Sequence, residues 1–480
     1  MTRLALALMA GLVATLSVTA PTAAQELVGF PPLMPHSDII SPPPGGAGTI
    51  SADGPSDNTA ISQDNRYVRL VGFDSSADNL VSGDRNGKRD VFVLRKTRGP
   101  GNTGGVLALV SVSTTGRQGN GDSVRPSIDG TTGWVPRCVA FESDATNLDS
   151  RDRSADFDVF VRNLRRRTTE LVSVGQPNAH DASIDGRCRY IAFDAGHHVY
   201  VRDLRLRRSL RVTDGRDPDL QTDGRGVVYQ RGGQVYYQAL RAVAGRLGKR
   251  GAEVLISDTR LGQPGNGVSS NAVVDDHGRY VAFQSTATDL CDARCVFPQS
   301  PYYKPGWVDP SKAPSGDANG PLSDIFRRRL DTGPRDPYSM QLVSYAWNYE
   351  QANAPSYNPA ITRAGEEVLF ESAATNVGVP PTLSLAFPGT HGFTNVFAWY
   401  DSGVHRPSAG IMNVWWSLQP GGWLLWDYNG ASVHPSISSR GNYVAFTSTE
   451  VGHGGESNGP AIPDVFLEWV GGSTDGLPTG

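Results

Sequence analysis

Cysteine and lysine are scarce in this 480-residue sequence, and long apolar segments are almost absent. It has four cysteines, five lysines among 44 basic residues, and a formal net charge of −4. Its one long apolar run, Leu4–Val18, is short for a membrane span, so no membrane insertion is predicted. The nearly balanced charge gives no electrostatic reason to expect nucleic acid or an anionic membrane as a partner.

The apolar run has the form of a secretory signal peptide. Arg3 precedes it, small residues follow it, and cleavage after Ala20 or Ala24 fits the pattern. We therefore expect a secreted or periplasmic bacterial protein that is a monomer. The predicted organisation is a signal peptide over 1–24, a Pro/Gly-rich lead-in over 25–46, the main domain over 47–472 and a flexible tail over 473–480.

The few cysteines favour two disulfides, because an exported chain folds in an oxidising environment. Cys291 and Cys295 enclose the short segment CDARC, which favours a local bridge between them. Cys138 would then pair with Cys188. Free buried thiols are the alternative, whereas a metal site would need a nearby histidine or a second cysteine pair, and neither is present in sequence.

Helical patterning is also lacking, whereas one strand pattern recurs seven times. A copy has a Pro-Ser-Ile type segment, a turn, a Tyr-Val-Ala-Phe type strand, a polar loop, Asp-Val-Phe-Val and Leu-Val-Ser-Val. The Tyr-Val-Ala-Phe segments end at Phe73, Phe141, Phe193, Tyr229, Phe283, Phe370 and Phe446. Four short antiparallel strands repeated seven times predict an all-β fold, a seven-bladed β-propeller, with six blades if one copy is incomplete.

The two ends of the chain are predicted to close the ring together. The seventh copy ends without a Leu-Val-Ser-Val strand, and the segment Gly48–Asp53, GTISAD, resembles the missing strand. An N-terminal strand that completes the last blade would remove the exposed sheet edges.

Several copies resemble the repeats of TolB-type β-propellers. The matching segments are ASIDGRCRYIAFDAGHHVYVRDLRLRRSLRVTDG and DPDLQTDGRGVVYQRGGQVYYQALR. The copies with longer loops are similar to a long-repeat version found in exported bacterial proteins. The resemblance covers nearly the whole mature chain and implies the propeller fold. It leaves the function open, because this fold hosts adaptors, peptidase domains and lyases.

In several copies an acidic loop precedes the third strand. Its aspartate and asparagine side chains occur at alternate positions, which is the spacing of the oxygen ligands in calcium-binding loops. The alternative is that these side chains form Asx turns, because the last position of a calcium loop, a glutamate, is missing and two copies lack the loop. No other cofactor is predicted. The candidate ligands are Asp84, Asn86, Asp90, Asp152, Asp158, Asp317, Asn319 and Asp324, with Ser154 and Asp156 between two of them.

No segment of the sequence gives a convincing catalytic motif. Gly455-Glu-Ser457-Asn-Gly459 has the spacing of a hydrolase nucleophile elbow, but an elbow needs a strand before it and a helix after it. The segment lies instead in a polar loop between two predicted strands. We therefore assign no catalytic residue from the sequence.

Two aromatic segments are candidate binding elements. Four tryptophans flank a Pro-Gly-Gly turn and would either stack on sugars or a peptide or fill space between blades: Trp415, Trp416, Trp423 and Trp426. The insertion Val296–Pro321, which contains Tyr302, Tyr303 and Trp307, is the second candidate.

The sequence thus favours an exported, non-catalytic binding scaffold whose loops contact an envelope or extracellular protein, or a glycan. The alternative is a polysaccharide-active propeller hydrolase or lyase. An inward cluster of histidine, arginine and carboxylate side chains is the feature that would support the alternative.

Overall fold

The computed structural model describes the residues that carry most of the predicted propeller. They are residues 37–39, 52–64, 68–96, 105–243, 245–291, 319–336, 339–345, 351–377, 393–400, 411–413, 431–449 and 462–469. All of them belong to one compact unit, Pro35–Gly480. No helix in these ranges has the length and apolar character needed to cross a membrane.

The described strands form seven separate antiparallel sheets, which are the blades. Blades 1 to 3 consist of β2 Ser56–Ile61, β3 Leu70–Ser75, β4 Asp90–Lys96, β5 Gly105–Leu109; β6 Ser123–Ile128, β7 Cys138–Ser143, β8 Asp158–Asn163, β9 Thr168–Leu171; and β10 Ala179–Ile184, β11 Tyr190–Ala195, β12 His198–Asp203, β13 Arg208–Asp214.

The remaining blades follow the same order of strands. Blade 4 adds a fifth short strand, and blade 7 takes its outer strand from the N-terminal part of the chain. Blades 4 to 7 consist of β14 Arg216–Leu220, β15 Gly226–Arg231, β16 Gln234–Val243, β17 Arg246–Lys249, β18 Val254–Leu255; β19 Ser269–Val274, β20 Tyr280–Ser285, β21 Asp324–Arg329, β22 Met340–Leu342; β23 Ser356–Ile361, β24 Glu367–Ser372, β25 Asn395–Tyr400, β26 Ile411–Asn413; and β27 Ser432–Ile437, β28 Tyr443–Ser448, β29 Asp464–Trp469, β1 Ser37–Ile39.

The seven blades close into a ring through their first strands. Each first strand contacts the first strand of the blades on both sides, in the order β2, β6, β10, β14, β19, β23, β27 and back to β2. The predicted seven-bladed propeller is therefore confirmed, and its first strands are the innermost ones.

The N-terminal closure is confirmed, but the closing strand differs from the predicted one. Ser37 pairs with Glu468 and Ile39 with Phe466, so β1 completes blade 7. Of the predicted segment 48–53, Ala52 and Asp53 are described and belong to no strand. The resemblance of residues 48–53 to an outer strand misled the assignment, because a three-residue strand such as Ser-Asp-Ile has too little pattern to be recognised.

The repeated phenylalanines build the core of each blade. The last residue of each Tyr-Val-Ala-Phe segment lies directly opposite an aromatic residue of the third strand, and their rings stack 5.5–6.0 Å apart. The pairs are Phe73–Phe92, Phe141–Phe160, Phe193–Tyr200, Tyr229–Tyr236, Phe283–Phe326, Phe370–Phe397 and Phe446–Phe466. The repeat is thus a packing unit that fills the space between blades.

The disulfide between blades 2 and 3 is also confirmed. Cys138 and Cys188 are bonded, with their Cα atoms 5.8 Å apart and a sequence separation of 50 positions. Cys291 is disulfide-bonded as well. Its predicted partner, Cys295, lies outside the described residues.

The alternating strand directions give the ring two distinct faces. The turns that join the first strand to the second, and the third to the fourth, lie on one face, which we call the turn face. The loops between the second and third strands, and the connections between blades, lie on the other face, which we call the loop face.

Candidate functional site

Each innermost strand contains one residue with a left-handed backbone, at a β-bulge where the register against the second strand shifts. The φ angles of these residues lie between 48° and 53°. Because the innermost strands surround the axis, the seven residues form a ring, which we call the axial ring: Asn58, Arg125, Asp181, Asp217, Asn271, Asn358 and His434.

The residue types of the axial ring fit this backbone to different degrees. Asparagine and aspartate tolerate the left-handed region because their short polar side chains bond locally, and five of the seven positions hold one of them. Arg125 and His434 adopt it at a cost of about 1–2 kcal/mol each. The surrounding hydrogen bonds must offset that cost.

Those hydrogen bonds come from the second strand of the preceding blade. The backbone N–H of Arg125 donates to Asp74 Oδ2 at 2.9 Å, and that of Asp181 donates to Glu142 Oε1 at 2.8 Å. The N–H groups of Asn358 and His434 donate in the same way to Gln284 and Glu371. Each acceptor directly follows the stacked phenylalanine of its repeat.

Side chains of the axial ring also contact one another between blades. Arg125 Nη1 donates to Asp181 Oδ1 at 3.0 Å, and Asn271 Nδ2 donates to Asn358 Oδ1 at 2.7 Å. The Arg125 side chain is 55 % exposed and that of Asp181 is 33 % exposed. A bound molecule can therefore reach both groups without displacing the core.

Negative charge is concentrated in the part of the ring formed by blades 3 and 4. Burial, followed by the charge and hydrogen bond of Asp181, raises the pKa of Asp194 to about 7. Burial and the Asp181 charge raise the pKa of Asp217 to about 6. Although burial lowers it, the Glu142 and Asp181 carboxylates raise the pKa of the Arg125 guanidinium overall. This part of the ring therefore presents several carboxylates around one arginine.

Two histidines with carboxylate partners stand at the ring. His434 Nδ1 contacts Asp57 Oδ1 at 2.5 Å, and this hydrogen bond raises the pKa of His434. Burial alone would raise the pKa of Asp57, but the hydrogen bond and charge of His434 lower it. His180 Nδ1 contacts Glu142 Oε2 at 3.1 Å, which likewise raises the pKa of His180. Each carboxylate contact thus favours the charged form of its histidine.

The axial ring was not predicted from the sequence, and neither His180 nor His434 was among the candidate residues. The signal that could have found the ring is the polar residue after each stacked aromatic residue: Asp74, Glu142, Asp194, Gln230, Gln284, Glu371 and Thr447. The same position of the second strand is polar in all seven blades, which indicates that these side chains face a shared polar centre.

The candidate calcium ligands bond to one another through amide nitrogens. Asn86 Nδ2 donates to Asp90 Oδ2 at 2.6 Å and to the Gly119 carbonyl at 3.1 Å. Asn319 Nδ2 makes the same two bonds, to Asp324 Oδ2 and the Ala352 carbonyl, at 3.0 Å each. In both loops the asparagine amide thus uses one carboxylate oxygen of the aspartate, and calcium binding stays a prediction.

The second acidic loop has Ser154 where the other two loops have the bridging asparagine, and the Ser154 N–H donates to Asp152 Oδ1 at 3.1 Å. Ser173 Oγ donates to Asp158 Oδ1 at 2.5 Å, and a serine makes the equivalent bond in the other two loops. Asp152 Oδ2 and the equivalent Asp84 Oδ2 are buried and accept no hydrogen bond from the described residues. Asp317 lies outside the described residues, so its position beside Asn319 stays a prediction.

The other sequence-based candidates give no site in the described part of the chain. The four tryptophans, the Gly455–Gly459 motif, and Tyr302, Tyr303 and Trp307 all lie outside it. Within it, one group of possible metal ligands has its ligand atoms within 4.8 Å of one another: Asp129, Cys138 and Cys188. Its two sulfur atoms form the disulfide and cannot act as thiolate ligands.

Several solved structures are distantly similar to this chain. No family model and no curated protein sequence matches this chain. TolB from Acinetobacter baumannii is 11 % identical, with 66 % of this chain and 60 % of that chain covered and a TM-score of 0.31. A putative TolB from Agrobacterium tumefaciens is 10 % identical, with 64 % and 96 % covered and a TM-score of 0.33.

A third similar structure is an oligogalacturonate lyase in complex with manganese. It is 9 % identical, with 90 % of this chain and 92 % of that chain covered and a TM-score of 0.41. Likeness at these levels says nothing about the activity of this chain. The chain is a seven-bladed β-propeller, as its own strand order and ring closure show.

Proposed function

We propose that the protein is an exported, non-catalytic scaffold that binds a segment of an envelope or extracellular protein at the axial ring. The observation that carries the proposal is the ring itself, to which all seven blades contribute a polar residue. Polar groups held by a rigid scaffold bind with little loss of conformational entropy.

The charges at the ring define the chemistry of the partner segment. Asp181 and Asp217 can accept hydrogen bonds from a lysine or arginine side chain of the partner. The neighbouring part of the ring, with Asn271 and Asn358, offers amide groups that suit a peptide backbone. A short segment with a basic residue therefore fits this site best.

The test compares capture of partner protein by the wild-type chain and by the double variant Asp181→Asn/Asp217→Asn. Asparagine occupies three equivalent positions, Asn58, Asn271 and Asn358, so the variant keeps the backbone geometry while losing two charges. We expect one envelope protein to be retained in stoichiometric amount by the wild type and at least tenfold more weakly by the variant.

The matched control is Glu366→Gln, which neutralises an exposed carboxylate in the β23–β24 turn. This control should retain the partner as well as the wild type does. The melting temperatures of both variants should lie within a few degrees of the wild-type value. Equal retention by the ring variant would show that the partner binds elsewhere on the molecule and would contradict the proposal.

The second candidate function is a polysaccharide-active hydrolase or lyase. It is favoured by His180 and His434 beside carboxylates at the axis, since imidazole and carboxyl groups can transfer protons. Arg125 could stabilise negative charge on a bound substrate. Incubation with neutral and acidic polysaccharides, followed by measurement of new chain ends, tests it. Cleavage that is lost in His434→Asn, and not in Glu366→Gln, would establish this function in place of the first.

A further inference from the structure

Three neighbouring hairpins of the turn face carry a dense group of arginines. They are the β8–β9 turn of blade 2, the β12–β13 turn of blade 3 and the β16–β17 hairpin of blade 4. We call their side chains the arginine patch: Arg165, Arg166, Arg167, Arg205, Arg207, Arg208, Arg241, Arg246 and Arg250.

The arginines of the patch are exposed and almost unneutralised. All nine arginines are exposed to solvent. Among the described residues one carboxylate pairs with the patch, Glu170, which lies 3.6 Å from Arg207 and is shared with Arg151 at 3.7 Å. The nearby Asp203 is buried and pairs instead with Arg189. The patch therefore carries a large uncompensated positive charge.

Contacts between the blades make the patch continuous. The pair Arg207–Glu170 joins the blade 3 turn to β9 of blade 2. Lys249 Nζ donates to the Val212 carbonyl at 2.9 Å and joins the blade 4 hairpin to β13 of blade 3. The blade 4 hairpin also projects beyond its sheet, because residues after Ala239 pair within the hairpin alone.

The loop face has no comparable excess of charge in the neighbouring blades. Its loops over 76–89, 110–122 and 144–157 contain seven aspartates and six basic residues. The positive charge of the arginine patch is therefore local to the turn face. A protein of this kind presents a strong local field despite its nearly balanced total charge.

Aliphatic side chains stand among the arginines at the hairpin tips. Leu206 is 40 % exposed between Arg205 and Arg207, and Val243 is 63 % exposed at the tip of the blade 4 hairpin. No aromatic residue occurs in 163–168, 203–208 or 241–250, so the patch has no ring on which a sugar could stack.

We propose that the arginine patch docks the protein on an anionic phospholipid surface, with Leu206 and Val243 entering the headgroup region. Guanidinium groups bind phosphate through paired hydrogen bonds, which suits arginine better than lysine. This peripheral docking needs no membrane-spanning segment. It is independent of the axial ring and does not rest on the proposed partner.

Sedimentation with vesicles tests the proposal. The mature chain is mixed with vesicles of phosphatidylcholine alone or with one third phosphatidylglycerol, at low and high salt. We expect binding to the anionic vesicles alone, and its loss at high salt because exposed charges are then screened. Equal binding to both vesicle types, or no binding to either, would overturn the proposal.

Two triple variants with the same change of charge separate this patch from a general charge effect. Arg166→Gln/Arg208→Gln/Arg246→Gln removes one arginine from each hairpin. Arg85→Gln/Arg117→Gln/Arg153→Gln removes three exposed arginines from the loop face. We expect the first to weaken vesicle binding about 100-fold, since each basic residue near the surface contributes roughly fivefold, and the second to bind like the wild type. Equal effects would overturn the proposal.

A second comparison separates a membrane from a soluble polyanion. Leu206→Ser/Val243→Ser keeps all the arginines, and we expect it to bind anionic vesicles at least tenfold more weakly because the aliphatic contacts are lost. The wild type is also tested for binding to soluble polygalacturonate. If it binds this polymer more strongly than anionic vesicles, and the serine variant binds the polymer equally well, the patch recognises an acidic glycan and membrane docking is overturned.

Discussion

At the scale of single residues, the structure holds several charged groups in positions where water is largely excluded. Lys96 is 5 % exposed, and its ammonium group lies 4.3 Å from the ring centre of Tyr443, across the junction of blades 1 and 7. Burial lowers the pKa of Lys96 to about 8. A charged lysine at this junction is therefore less stable in the folded chain than in water.

The pH dependence of stability should reveal this lysine. Below pH 8 it is charged in both states, whereas between pH 8 and 10.5 the unfolded chain binds more protons, so stability rises with pH. From pH 8 to pH 10 we expect the free energy of unfolding of the wild type to gain about 2 kcal/mol relative to Lys96→Met. Denaturant unfolding at both pH values measures this, with the exposed Lys88→Met as control; parallel behaviour of the wild type and Lys96→Met would contradict it.

Asn86 provides a second test at the residue scale, because its amide nitrogen bridges Asp90 and the Gly119 carbonyl. Asn86→Asp places two carboxylates together, and we expect it to lower the free energy of unfolding by about 2 kcal/mol. The melting temperature of the wild type should not change with chelator. A fall on chelation, or rescue of Asn86→Asp by calcium, would instead establish a cation at this loop, near the unpartnered Asp84 Oδ2.

At the scale of elements, neighbouring blades are held together mainly by apolar contacts, and one covalent link strengthens a single junction. The Cys138–Cys188 disulfide joins β7 of blade 2 to the β10–β11 turn of blade 3. It closes a loop of 50 residues, which restricts the unfolded chain.

Cys138→Ala/Cys188→Ala should therefore lower the free energy of unfolding by about 4 kcal/mol in the chain-entropy estimate. Denaturant unfolding of the variant and of the oxidised wild type measures this. The reduced wild type should lose at least as much as the variant, because reduction also breaks the disulfide of Cys291. A variant as stable as the oxidised wild type would show that the blade junction does not depend on the link.

At the scale of the whole molecule, the ring is closed by three residues from the N-terminal part of the chain. β1, Ser37–Ile39, is the outer strand of blade 7, and without it the edge of β29 would be unpaired. An unpaired edge strand is a site for association with other chains.

Truncation measures the contribution of this strand. A chain that begins at Ser41 lacks β1, and we expect a lower melting temperature and association that grows with concentration. The matched control begins at Pro35 and keeps the strand. If the two chains melt at the same temperature and both stay monomeric, blade 7 does not need β1 for its stability.

The fold was predictable from the sequence because its repeat is local. The strand ending at Phe141, the turn residues and the aromatic partner Phe160 lie within one repeat, so their pattern appears directly in the chain. The pairing of Cys138 with Cys188 followed by elimination, once the two cysteines of CDARC were assigned to each other. The closing strand was misplaced, because its partner β29 lies more than 400 residues away and three residues carry no pattern.

The candidate sites were not predictable, because they depend on residues that are close in space and distant in sequence. Asp57 and His434 meet at the axis from the first and seventh blades, and Arg125 reaches Asp181 across a blade junction. The sequence by itself determined the blades, their number and the stacked core of each, since these are written in every repeat. Only the tertiary structure decided that one polar residue of each blade would meet at the axis, and that the arginines of three hairpins would lie together on one face. The reason is that closing the ring brings equivalent positions of neighbouring blades together.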